Sequence, residues 1–397
     1  MISRGTKPSP QCIIELMNHI YLDNNATTRI DPRVAEAMHQ CYLAGCANPA
    51  SQHQPGQKCR RILERARETV AQTLGCQVCD LHPDQVIFTS GGTEANNLAI
   101  LGLTGREPGR VIISAIEHSS VAGPALRLRN LGFDVQTIRV SADGVVDRDH
   151  FSALFTPQTR LVSVMLGNNE TGVLQPVREI AALCRNAGVP IHTDAVQVVG
   201  KLPVRLRDLG VTALSVGAHK FHGPCGIGAL LVHQGTKLEP LLTGGLQQHG
   251  LRPGTEPVAL AVGLEKALSL WAAEAYDRAE RLTRLRTRLE QGLVGELPDV
   301  VINGSKAPRL PHTANVAFPG VDRQALLMAL DVAGIACATG SACASGSTEP
   351  SPVLQAMGLP AEIINSSLRF GLGADTTDRE IDEAVCRISR AVRELRR

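Results

Sequence analysis

Apolar runs of strand length recur along this chain, and each stops at a cluster of polar residues. Residues 86–89 run into Ser90-Gly91-Gly92-Thr93, and 111–114 lead to Glu117-His118. Residues 161–166 run into Asn168-Asn169-Glu170, 189–193 into Asp194-Ala195-Val196-Gln197, and 212–216 into His219-Lys220. Stretches with helical periodicity lie between them, such as 177–187 with Gly188 as its stop. Apolar strands alternating with helices predict a mainly parallel sheet covered on both faces. In such sheets ligands bind beyond the carboxyl ends of the strands. Any one polar cluster reads equally well as a cap or a satisfied core group. Five at one sheet edge predict a site.

Lys220 sits between two apolar runs, with the turn at Gly223-Pro224 separating it from 227–232. Taken alone, that window favours an exposed loop lysine, and the other four clusters overturn this. Burial lowers a lysine's pKa and frees the amine to form a Schiff base with a carbonyl. A strand, two glycines and a threonine opening a helix make a phosphate cradle in principle; a plain turn with a threonine cap is the alternative. Together these types suit pyridoxal phosphate. A lysine holds the cofactor as an imine, and a carboxylate pairs with the pyridinium nitrogen. A histidine stacks on the ring or moves protons. No metal set competes: Cys76-Gln77-Val78-Cys79 with His82 lacks a second pair and reads as structural or incidental thiols. Gly223-Pro224-Cys225-Gly226-Ile227-Gly228 is followed by a strand, so it is not a dinucleotide fingerprint.

The remaining features set the organisation. With 397 residues and 43% hydrophobic content the chain can bury one large domain and a smaller one. A formal net charge of +2 gives no reason to expect nucleic acid or a membrane as partner, and the apolar runs are too short for a span. Eleven cysteines without a secretory signal predict free thiols in a reducing, cytoplasmic setting. Residues 1–16 are polar, carry Pro8 and Pro10, and read as an extension that is disordered or not native, with Met17 as an alternative start. A long amphipathic helix over 260–296 is the expected crossing into a second domain. The expected division is a large cofactor-binding domain over 31–275 and a small α+β domain from 17–30 and 276–397. Strand-like segments at 315–318, 335–337 and 366–370 and a helix over 378–395, opened by a Thr377–Glu380 capping box, belong to the latter. Arg369 lies in one of these segments, and a buried arginine needs an anion; a carboxylate fits its fork. Cys343 stands among small residues at 340–347, a run that predicts a mobile, accessible loop with a nucleophilic thiol.

With these residues in hand, the chain resembles the cysteine desulfurases of the NifS/IscS-like group, in the class V aminotransferase branch of fold type I pyridoxal-phosphate enzymes. The resemblance runs from about Tyr21 to the C-terminal helix. It is carried by Tyr21-Leu22-Asp23-Asn24-Asn25-Ala26-Thr27-Thr28, Thr89-Ser90-Gly91-Gly92-Thr93-Glu94-Ala95-Asn96-Asn97, His192-Thr193-Asp194-Ala195-Val196-Gln197, Ala218-His219-Lys220 and Gly340-Ser341-Ala342-Cys343. It implies an α/β fold with a seven-stranded, mainly parallel sheet. It also implies that Lys220 bears pyridoxal 5'-phosphate and moves a proton, that Asp194 pairs with the ring nitrogen, that Gln197 reaches the phenolic oxygen and that His118 stacks. Gly92, Thr93 and His219 would hold the phosphate, joined by Thr255 from the partner subunit of a homodimer. Asn169 and Arg369 would hold the carboxylate of L-cysteine. Cys343 would take the sulfur as a persulfide, release alanine and pass the sulfur to an acceptor such as an iron–sulfur scaffold or a thiolation protein. Transient cluster ligation by Cys343 is left open, and no resident metal is implied.

The chain departs from that pattern at Gly217, where the family usually has a phosphate-touching serine. It departs again at Gly244-Gly245-Leu246-Gln247-Gln248-His249-Gly250-Leu251-Arg252, where the family's run is richer in charge. Lower charge at the site entrance bears on the choice of substrate or acceptor. Two competing readings remain: another lyase or aminotransferase of the same branch, which would not need Cys343, and a degenerate homologue acting as a scaffold, which would need none of the site residues.

Overall fold

The computed structural model describes residues 19–45, 47–79, 81–340 and 349–397. Cys343 lies outside them.

Seven strands form the central sheet, in the order Gln85–Thr89, Gly228–Val232, Ala213–Gly217, Ile191–Asp194, Thr159–Ser163, Arg110–Ser114, Asp134–Ile138. Only Gly228–Val232 runs antiparallel to its neighbours; the other pairings are parallel. Successive strand residues face opposite sides, and the core divides accordingly. Phe88, Ile112, Leu214, Val216 and Leu231 pack with helices Pro32–Leu43, Gln54–Thr73 and the first half of Val258–Glu296. Ile87, Val111, Ile113, Ala213 and Leu230 pack with helices Gly92–Thr104 and Ser119–Asn130. Both faces are therefore covered, and the strand ends are left as the place where polar groups collect.

The strand Asp134–Ile138 has no counterpart among the expected strands. It is one of the two edge strands, and only Val135 and Ile138 of its five residues are buried, so it carries no continuous apolar run. The run at 161–166 leaves the sheet after Ser163. Its backbone still bonds across, from Val164 N to His192 O at 3.2 Å and from Leu166 N to Asp194 O at 2.9 Å.

A second hydrophobic cluster is built from Ile20 and Leu22, from Leu282, Leu285, Leu289 and Leu293, and from Ile381, Ala384, Ile388 and Val392. It supports an antiparallel sheet in the order Ser367–Gly371, Thr313–Ala317, Val301–Ile302, and a parallel pair of Ile20–Tyr21 with Ile335–Ala336. Helix Val258–Glu296 has 39 residues, roughly 58 Å at 1.5 Å per residue. Its Leu264, Leu268 and Trp271 belong to the sheet core, and its later leucines belong to the second cluster. Among the described residues no helix is long and apolar enough to cross a membrane.

Candidate active site

Four of the polar clusters meet at one edge of the sheet. Asp194 is the last residue of its strand and is 6% exposed. Its Oδ1 accepts from Val196 N at 2.9 Å, and its Oδ2 accepts from Asn96 Nδ2 at 2.7 Å. Asn96 also donates to Ser120 Oγ at 2.8 Å, and that hydroxyl lies 2.7 Å from His118 Nδ1. One chain of hydrogen bonds thus links Asp194, Asn96, Ser120 and His118. His118 caps helix Ser119–Asn130. Burial lowers its pKa, against the pull of Asp194, and Lys220 lowers it further.

Lys220 ends the short helical turn Ala218–Lys220 that follows strand Ala213–Gly217. Its Nζ donates to the carbonyls of Asn25 at 2.6 Å and Ala26 at 2.8 Å. Gln197 Nε2 donates to the same Asn25 carbonyl at 3.0 Å, while its Oε1 is buried without a partner. His219 Nδ1 lies 3.2 Å from Thr27 Oγ1, and burial together with Lys220 pushes its pKa down to about 4. The N-terminal segment 23–28 is thus the wall against which Lys220, Gln197 and His219 rest.

Arg369 is 1% exposed and comes from the second cluster. Its Nη2 pairs with Asp23 Oδ1 at 2.7 Å, and its Nη1 donates to the carbonyls of Asn169 at 3.1 Å and Gly340 at 3.2 Å. Its Nε is buried and unpartnered. Asn169 is half-buried, and its carbonyl also accepts from Asn25 Nδ2 at 3.3 Å.

Helix Gly92–Thr104 starts at the same edge with no side chain capping it. Thr93 is exposed. A Cβ on Gly92 would come within 2.7 Å of Val196 Cγ2, so only glycine fits this approach. A Cβ on Gly217 would lie 3.4 Å from Val196 Cγ1 and 3.6 Å from Gly92 N, an ordinary fit. Thr255 is exposed, in the stretch before helix Val258–Glu296, and takes no part in this network.

The substituted run at 244–252 has an architectural side. Gln248 and His249 have φ of 49° and 60°. The buried Gln248 side chain donates to Phe88 O at 2.8 Å and accepts from Phe88 N at 2.7 Å. It therefore mimics an extra strand along the sheet edge. Arg252 pairs with Glu94 at 2.9 Å, and Glu94 accepts from Ser90 N at 2.6 Å, beside the helix start.

The family model for class V aminotransferases matches residues 20–384. The chain belongs to the class V aminotransferase family. Among relatives of this class V member, the cysteine desulfurase IscS of Dictyoglomus turgidum is 39% identical over 384 residues, covering 96% of each chain. The cysteine desulfurase NifS of Azotobacter vinelandii is 39% identical over 386 residues, covering 96% of this chain and 94% of the relative. The solved NifS-like protein from Rickettsia africae superposes with a TM-score of 0.84 at 31% identity, covering 94% of this chain and 99% of that one. The fold is the fold type I architecture, and the class V family depends on pyridoxal phosphate.

The half-buried Lys220 and the buried carboxylate of Asp194 lie at one sheet edge with an unpartnered glutamine oxygen and an uncapped helix start, where Gly92 closely approaches Val196. A second buried acid, Glu117, was not assigned a part from the sequence. Its Oε1 accepts from Ser114 Oγ at 2.5 Å and Met165 N at 2.8 Å, and its Oε2 has no partner. Asn96, Ser120 and Asp23 were also missed as site members. Each lies inside or next to a quoted motif, but its partner comes from a distant segment, so spacing alone carries no signal for it. Among the described residues no group of three or more His, Cys, Asp or Glu could hold a metal ion.

Proposed function

We propose that this protein is a cysteine desulfurase that removes sulfur from L-cysteine, releases L-alanine and carries the sulfur as a persulfide on Cys343. The observation that carries the reading is the meeting of Lys220, Asp194, Gln197 and His118 at one sheet edge, with the guanidinium of Arg369, unpartnered only at Nε, bonded to the neighbouring Asn169. Near-full-length likeness to cysteine desulfurases supports it.

Pyridoxal phosphate, when bound, supplies the electron sink for reaction at the amino acid's Cα. Lys220 would hold it, and its amine would serve as the base and acid that moves the Cα proton. Asp194, which accepts from the Val196 amide and Asn96, would pair with the ring nitrogen. Gln197 would reach the phenolic oxygen. His118 is neutral near pH 7, because burial opposes its charge, so it stacks without repelling the ring nitrogen's proton. The start of helix Gly92–Thr104, with Thr93 and His219, takes the phosphate. Arg369 and Asn169 orient the substrate carboxylate. The sulfur then passes from Cys343 to an acceptor protein serving iron–sulfur cluster assembly or thiolation. The working unit is a homodimer in which Thr255 completes the partner's phosphate site.

The test is alanine and sulfide release from L-cysteine in the presence of a reductant. Equal amounts of alanine and sulfide, lost in Cys343→Ala while that variant still binds cysteine spectroscopically, bear the reading out. Unchanged alanine release by Cys343→Ala removes Cys343 from the mechanism. A protein that binds no cofactor points to the scaffold reading.

A further inference from the structure

Lys201 is 4% exposed, and its Nζ donates to the main-chain carbonyl of Lys220 at 2.5 Å. It stands on the same turn as Asp194 and Gln197. That turn is held by bonds from Val198 N and Val199 N to Ala195 O, both at 2.9 Å, and from Lys201 N to Val198 O at 3.0 Å. One short stretch of chain therefore delivers three polar side chains to the site. Two have parts in the proposed chemistry; Lys201 has none.

The surroundings of Lys201 are unusual for a buried cation. Among the described residues no carboxylate pairs with it. The groups that face it are basic: Arg278 and Lys220 repel its charge, and it in turn acts on His222 and His312. His312 is fully buried, with both ring nitrogens unpartnered. Arg286 and Arg369 also act on His312. Burial with these neighbours pushes the Lys201 ammonium down to about 7. Holding such a group in the interior is costly without a purpose. A side chain that merely filled space here would be apolar.

We propose that Lys201 is a positioning residue for Lys220, pinning its main-chain carbonyl. Lys220 is then gripped at both ends. Lys201 fixes the backbone, and the carbonyls of Asn25 and Ala26 receive the amine. The pinned backbone lets the long side chain swing between cofactor and substrate without dragging the Ala218–Lys220 turn along. Below about pH 7, where Lys201 keeps its proton, its charge disfavours a second proton on the Lys220 nitrogen. This inference rests on the pyridoxal-phosphate reading of Lys220.

The test uses the holoenzyme and two readouts other than turnover: the pH titration of the absorbance of Lys220-bound pyridoxal phosphate, and the rate of cofactor loss on dialysis. Lys201→Met removes the cation, and the titration midpoint is expected to rise by about one pH unit, equivalent to about 1.4 kcal/mol of lost charge repulsion. Cofactor loss is expected to be about tenfold faster, equivalent to roughly 1.4 kcal/mol. Lys201→Arg cannot shed its charge, and its midpoint should stay at or below the native one. A Met variant with the native midpoint and native cofactor retention, altered only in melting temperature, overturns the proposal. If the Met variant does not fold, the Arg variant decides: a midpoint above the native value overturns it. A native protein that takes up no cofactor removes the functional reading and this inference together, whereas a native titration left unmoved in the Met variant removes the inference alone.

Discussion

Burial, helped by the charge of Asp194, raises the Glu117 carboxyl to about 8 from the ordinary 4.5. An acid whose pKa is raised by folding binds its proton more tightly in the folded chain. Stability is therefore greatest below the unfolded pKa and falls as pH climbs from about 4.5 toward 8. Glu117→Gln removes that titration. Its melting temperature should exceed the native one at pH 8, and the difference should shrink as pH approaches 5. A constant offset across that range would mean that Glu117 is charged throughout. Gly217 gives a second residue-level prediction. The space around it accepts a Cβ, and that Cβ would sit beside Gly92 N. Gly217→Ser should fold normally and slow cofactor loss in dialysis by a few-fold, in line with one added hydrogen bond of about 1 kcal/mol; faster loss would place the new hydroxyl away from the phosphate. Residues of this kind were partly legible in the sequence. Lys220, Asp194 and Gln197 were readable because each follows an apolar run. Lys201 was not, because a lysine is by default a surface residue, and nothing in its spacing says that its amine turns back toward Lys220.

The strands show which motif residues are structural. His192 lies in the run that carries Asp194, yet its ring bridges strands: Nδ1 lies 2.9 Å from Ser163 Oγ and Nε2 lies 2.9 Å from Ser215 Oγ. Burial pushes its pKa down to about 3, so it works as a neutral link across three adjacent strands. His192→Ala leaves two buried hydroxyls unpaired and a cavity behind, and should lower stability by roughly 2–4 kcal/mol in denaturant unfolding while the cofactor still binds. A loss below about 0.5 kcal/mol would mean that water replaces the ring. At the other end of the chain, the Thr377–Glu380 capping box is formed as the sequence implies, and Thr377→Ala should cost about 1 kcal/mol. Elements were legible where one signal dominated. The final helix begins and ends where its cap and periodicity put it, Asp378–Leu395. Strand Asp134–Ile138 stayed hidden because half of it faces outward at the sheet edge, and such a strand looks like a loop in composition.

At the scale of the molecule, the two hydrophobic clusters suggest a division near the middle of helix Val258–Glu296, and we place the domain boundary there. The helix lends apolar residues to both clusters, so heat should unfold them together. A single calorimetric transition is expected, and two resolved transitions would show that the clusters are independent. The proposed homodimer should appear in sedimentation at twice the 42.3 kDa chain mass, and Thr255→Ala should weaken cofactor retention in the dimer. The pairing of Ile20–Tyr21 with Ile335–Ala336 was visible only in outline from the sequence, because strands of two residues carry almost no pattern. That pairing puts both ends of the described chain into one cluster, since helix Asp378–Leu395 packs there too. The larger unit is in effect an excursion that leaves the smaller one and returns to it. A mechanical pull applied to the two ends would therefore load the smaller unit first, and the seven-stranded sheet would bear no tension until that unit had come apart.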